Sequence, residues 1–139
     1  MQKYLPEIFK EINENPKLIE NYKGDPAITM LLKYAFMPQH KFNLPEGQPP
    51  FRPDAAPIGM SPAKLRQELR RLYVFCRDDL TAIKRETLFV SLLESIHPLE
   101  AELLIAIKDQ KLNKLYKKIT KKLAIDNGFV PPETSRESD

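Results

Sequence analysis

The chain has 139 residues, 42% of them apolar and 29% charged, with a formal net charge of +3. That length suits one domain with a buried core, and the balance of residue types excludes both a disordered tail and a membrane-embedded protein. So small a net charge implies no nucleic-acid partner by itself, and the distribution of charge carries more information than its total.

No stretch approaches the roughly 18 uncharged apolar residues that a spanning helix needs. The opening MQKYLPEIFKEI breaks its apolar run at Glu7, Lys10 and Glu11, which is not the pattern of a signal peptide. Cys76 is the one cysteine, so no internal disulfide can form, and a reducing cytoplasm is the expected setting.

Tyr4, Leu5, Ile8, Phe9 and Ile12 follow the spacing of an amphipathic helix over residues 2–13. Asn15-Pro16 and Asp25-Pro26 each pair a capping side chain with a first-turn proline, and Ser61-Pro62 does the same further on. These announce a short helix through Leu18, Ile19 and Tyr22, ended by Gly24, and a longer one through Ile28, Leu31, Leu32, Ala35 and Phe36. The third start predicts a helix over 61–77 with Leu65, Leu69, Leu72, Tyr73 and Cys76 facing inward. Asp78-Asp79 then reads as a turn and cap for a helix beginning near Leu80.

Seven of the 13 prolines fall between Pro38 and Pro62, with Gly47 and Gly59 among them. Neither a helix nor a central strand can run through such a stretch, yet a structureless connection longer than about 15 residues is unusual in a compact domain. Phe42, Leu44, Phe51, Ile58 and Met60 are spaced along it, which a plain linker would lack. The expectation is an extended arm over 38–60, pinned by those side chains either to its own helices or to a partner in polyproline-like form.

Residues 80–110 form the expected centre. Leu88, Phe89, Leu92, Leu93 and Ile96 make one stripe, and Leu99, Leu103, Leu104 and Ile107 make another after the His97-Pro98 junction, with Glu100, Glu102 and Lys108 pointing elsewhere. Beyond Gln110, Leu112, Leu115, Ile119 and Leu123 supply an apolar stripe ended by Gly128, and the polar VPPETSRESD is expected to fray. No strand pair is credible. The fold class is all-α: one helical domain of about six helices over 1–130 carrying a long proline-rich arm, then a flexible tail over 131–139.

Residues 108–122 hold seven lysines against one acid, Asp109. On a single helix Lys111, Lys114, Lys118 and Lys121 would share a face able to attract phosphates or an acidic protein, although exposed lysines near a helix end also simply complement its dipole. Only Tyr116 interleaves them, so a stacking platform for single strands is missing. ITKKLAIDNGF has the look of the first half of a helix-turn-helix, but Val130-Pro131-Pro132 stands where the recognition helix should begin. Arg66, Arg70, Arg71 and Arg77 form a second positive cluster with Glu68, Asp78 and Asp79 near enough to pair.

Nothing points to catalysis or a cofactor. The four glycines open no phosphate loop, and His40, His97 and Cys76 lie at no metal-ligand spacing. His97 reads as a hydrogen-bonded junction residue and Cys76 as a small buried hydrophobe. Glu100 and Glu102 point in different directions from one helix, which argues against a carboxylate pair.

The proline-rich FNLPEGQPPFRPDAAP, then RETLFVSLLESIHPLEAELLIAIKD and the lysine-rich end, resemble a family of small helical proteins of T-even-like tailed phages, especially those of cyanobacteria. The resemblance runs from about Tyr34 to Phe129. It implies a phage origin and expression in the host bacterial cytoplasm during infection, and carries over no catalytic or binding residues. The expected function is therefore a non-enzymatic accessory protein that binds a phage or host protein. A nucleic-acid accessory factor using the lysine stripe is the alternative, with a minor virion component as a third.

Overall fold

The structure is a computed structural model that describes residues 4–53 and 64–132. Among these residues every regular element is helical. α1 spans Leu5–Glu14, with Pro6 in its first turn and Leu5, Ile8, Phe9 and Ile12 buried. Asn15 then caps a 3-10 helix, Pro16–Tyr22, its Oδ1 accepting from Lys17 N at 3.4 Å. α2 is Pro26–Phe36, capped by Asp25, whose Oδ1 accepts from Ala27 N at 3.0 Å. A single 3-10 turn, Pro38–His40, is the only helical segment in the described part of the proline-rich stretch, and 41–53 run without regular structure.

Past the undescribed residues, α3 is one turn, Leu65–Glu68, continued by a 3-10 helix over Leu69–Cys76. That tighter winding corrects the predicted inward face. With three residues per turn, every third side chain lies on one side, so Leu69, Leu72 and Phe75 are buried while Tyr73 is 55% exposed. α4 is Ala82–Ser95, and its cap is Thr81, not the expected aspartates: Thr81 Oγ1 accepts from Lys84 N at 3.1 Å. Asp78 instead accepts from Asn43 Nδ2, and Asp79 pairs with Arg77.

α5, Pro98–Lys108, packs against α1, α2, α4 and α6, so the pair of helices around His97 does form the centre. Ile96, Leu103, Leu104 and Ile107 are fully buried. His97 acts at the junction as a cap, its Nδ1 accepting from Leu99 N at 3.1 Å. The stripes are rotated from the expected ones, however. Leu88 and Leu99 are exposed, whereas Glu100 and Lys108, assigned to the outside, are buried. With neighbours on so many sides, α5 buries a face too wide for an apolar stripe alone to define.

The basic stretch is not one helix. Gln110 takes a left-handed backbone (φ 54°) and ends α5, with Lys111 N donating to Ala106 O at 2.9 Å. α6 is the single turn Leu112–Leu115, and α7 is Lys121–Asp126, newly capped by Thr120. Between them α1 holds the chain: Tyr116 stacks on Phe9 at 5.9 Å, and Asn13 Oδ1 accepts from Lys118 N at 2.8 Å. Gly128 (φ 79°) ends α7 as expected. Phe129 and Val130 are buried, so the polar ending begins after Val130, not at it.

Candidate docking groove

Sequence spacing singles out Phe42, Leu44 and Phe51 as anchors of the proline-rich stretch, and the structure places all three against this chain's own core. Phe42 is the deepest, its ring 5.3 Å from Tyr34, 5.4 Å from Phe75 and 6.2 Å from Phe89. Leu44 and Phe51 are half-buried against the same cluster. Ile58 and Met60, like the Ser61-Pro62 start, lie outside the described residues.

Polar contacts hold the same segment by its backbone. Arg85, buried in α4, donates to Asn43 O at 3.0 Å, Arg77 O at 3.2 Å and Leu80 O at 2.6 Å. Lys108 donates to Pro45 O at 2.6 Å and pairs with Asp109, whose other oxygen accepts from Gly47 N at 3.1 Å. Gln110 Nε2 fastens the end of α2, donating to Tyr34 O and Met37 O. Further out, Lys111 pairs with Glu46, and the bond from the ammonium holds the Glu46 carboxyl below the usual carboxylate range. At the far end Arg52 N donates to Glu94 Oε2 at 2.8 Å. None of Arg85, Lys108 or Asp109 is distinguishable from a surface residue by local pattern, because each partner lies far away in sequence or comes from irregular backbone.

These fastenings create a groove. Asn43 is tied to Arg85 and Arg52 to Glu94, so nine residue steps of irregular chain run alongside nine steps of helix. Nine helical residues rise about 13.5 Å, whereas nine polyproline-like residues reach about 28 Å. The excess must bow away from α4. It turns at Gly47, which has φ 96°, and is drawn to the end of α5 by Lys108 and Asp109. Beneath the bow lies a cavity of about 520 Å³, walled by Leu44, Pro45, Pro49 and Pro50 on one side and by Thr87 and Val90 of α4 on the other, with Phe89 and Lys108 also lining it. Ile83, one turn before Thr87, extends that side of α4 and is 78% exposed.

The remaining candidates are dispersed. The helix break means that Lys111, Lys114, Lys118 and Lys121 do not form one helical face: Lys111 is occupied by Glu46, Lys114 lies within α6, Lys118 precedes the cap and Lys121 opens α7. Lys122 pairs with Asp126. In the arginine cluster, Arg66 grips Asp25 with contacts of 2.9 and 3.0 Å, Arg71 pairs with Glu68, and Arg77 pairs with Asp79 and lies 5.8 Å from the Tyr73 ring centre. Cys76 is half-buried, donates to His40 O at 3.3 Å, and burial pushes its thiol pKa up. Among the described residues no three His, Cys, Asp or Glu side chains gather as metal ligands, and no helix is long and apolar enough to cross a membrane.

No curated protein and no solved structure matches this chain. One family profile does, over residues 7–114, a stretch that contains every element of the groove and stops before Lys118, Lys121 and α7. The chain therefore belongs to that family, a family of unknown function designated DUF6433.

Proposed function

We propose that this protein is a non-enzymatic accessory protein of tailed phages that acts in the cytoplasm of the infected bacterium by binding another phage or host protein through the groove beside α4. The carrying observation is the groove itself. Its proline-rich wall is fastened by buried charged side chains that are spent on the chain's own backbone, and an exposed isoleucine, Ile83, lies one turn before the lining Thr87. A cleft of that size with apolar side chains and a few polar groups is where proteins commonly take a guest. The phage setting rests on the resemblance of the proline-rich and central segments.

A photo-crosslinking side chain at Thr87, compared with one at Glu20, an exposed residue of the Pro16–Tyr22 helix that does not line the groove, tests this in infected cells. One specific protein should crosslink from Thr87 and not from Glu20. Absence of any specific product at Thr87 rules the reading out. The exposed Lys114, Lys117 and Lys118, which have no side-chain partner among the described residues, favour nucleic-acid binding as the second reading. Its check is a steep loss of affinity between about 50 and 200 mM salt. A virion role would be seen directly as the protein in purified particles.

A further inference from the structure

The charges around the groove are not equivalent. Lys108 lies at the groove with 1% exposure, but its ammonium is neutralised by Asp109 and also bonded to Pro45 O. Glu46 is neutralised by Lys111. At the far end, Glu94 accepts from Arg52 N and lines an adjoining cleft, not this groove. That leaves Glu86, an exposed lining residue with no partner among the described residues. The charge that the groove offers a visitor is negative.

The proline wall also limits how a visitor can be held. Pro45, Pro49 and Pro50 carry no N–H, the Gly47 N–H is taken by Asp109, and the Asn43 and Pro45 carbonyls are taken by Arg85 and Lys108. A guest strand would find N–H groups only at Leu44, Glu46 and Gln48 along this wall, so recognition runs mainly through side chains. Proline rings favour aromatic partners, and about 520 Å³ lies within the roughly 300–1,000 Å³ of ordinary binding pockets.

We propose that the groove docks a partner-protein segment in which an aromatic or long aliphatic side chain packs between the prolines and Val90 while an adjacent arginine or lysine meets Glu86. This inference rests on the docking reading above and specifies the partner's chemistry.

The test uses a random 12-residue peptide library displayed on filamentous phage and selected on the intact chain. Clones are sorted by whether binding is lost on Val90→Gln and on Thr87→Gln. Thr87 is exposed, so the second variant keeps the sorting valid if the first is unstable. Groove-dependent clones should be enriched in arginine or lysine beside an aromatic or aliphatic residue. Glu86→Gln should weaken them about two- to fivefold, the range of an exposed ion pair, and selection on Glu86→Lys should abolish the basic enrichment. Groove-dependent clones without basic enrichment, or with enrichment that survives Glu86→Lys, overturn the inference while leaving the docking reading intact. A library yielding no groove-dependent clone also overturns it, and the Thr87 crosslink then decides the docking reading separately.

Discussion

Lys108 donates its ammonium to the carbonyl oxygen of Pro45, 2.6 Å away and 63 positions earlier in the chain. The bond joins the end of the central helix to the proline-rich segment. It turns a residue of the lysine-rich stretch into an internal strut, with Asp109 beside it supplying the counter-charge and reaching Gly47 with its second oxygen.

Lys108→Met should therefore behave unlike the other lysine substitutions. It leaves the Asp109 carboxylate without its cation and the Pro45 carbonyl without a donor, and breaking a buried pair in this way costs about 3–5 kcal/mol. Lys114→Gln, Lys117→Gln and Lys118→Gln should each change stability by about 0.5 kcal/mol or less. Urea unfolding of the four variants provides the comparison, and amide exchange at Gly47 should quicken in Lys108→Met alone.

Arg85 invites a second measurement. Three carbonyls converge on its guanidinium, and Arg85→Ala leaves them unsatisfied at a cost of about 1–3 kcal/mol for each that water cannot reach. Arg85→Lys should recover little, because a single ammonium lacks the planar fork that serves several acceptors at once. Chemical denaturation of both variants should place them close together and well below the wild type.

The central helices allow a paired test of inside against outside. Leu103 is fully buried, and Leu103→Ala should cost roughly 2–5 kcal/mol. Leu99, four residues earlier on the same helix, is 44% exposed, and Leu99→Ala should cost less than about 0.5 kcal/mol. Equal losses in thermal unfolding would contradict the rotated register of α5.

Glu100 predicts a pH dependence. Burial raises its carboxyl pKa, against the opposing pull of the Leu65 and His97 backbone N–H groups. A folded-state pKa above the unfolded value contributes stability that is complete below the unfolded value, near 4.5, and is lost as pH rises through the folded value. Glu100→Gln keeps an acceptor for Leu65 N and removes the charge, so it should unfold at a higher temperature than the wild type at pH 7. The advantage should shrink as the medium is acidified toward pH 4, which a pair of melting series would show.

Local chemistry was readable wherever a helix start is written by neighbouring residues. Asn15-Pro16, Asp25-Pro26 and His97-Pro98 each begin a helical element, and Gly128 ends one. The departures have tertiary causes. The Leu69–Cys76 segment winds with three residues per turn, so Phe75 replaced Tyr73 in the core. The lysine helix broke because Gln110 could offset a left-handed backbone by bonding to Tyr34 and Met37, and because Phe9 and Asn13 of α1 hold the chain between α6 and α7. The groove itself could not be read in advance. It depends on Arg85, Lys108 and Asp109 reaching backbone groups that no periodicity reveals, although Phe42 as an anchor was visible from its place among the prolines.

The mismatch between nine steps of bowed chain and nine of helix has a consequence for how such a protein can vary. Both ends of the bow are fastened independently, at Asn43 and at Arg52. Trimming or lengthening the span between them would alter the mouth while the helices beneath kept their packing. Loop length becomes a dial for what can be admitted, adjustable one residue at a time and insulated from the parts that keep the molecule folded.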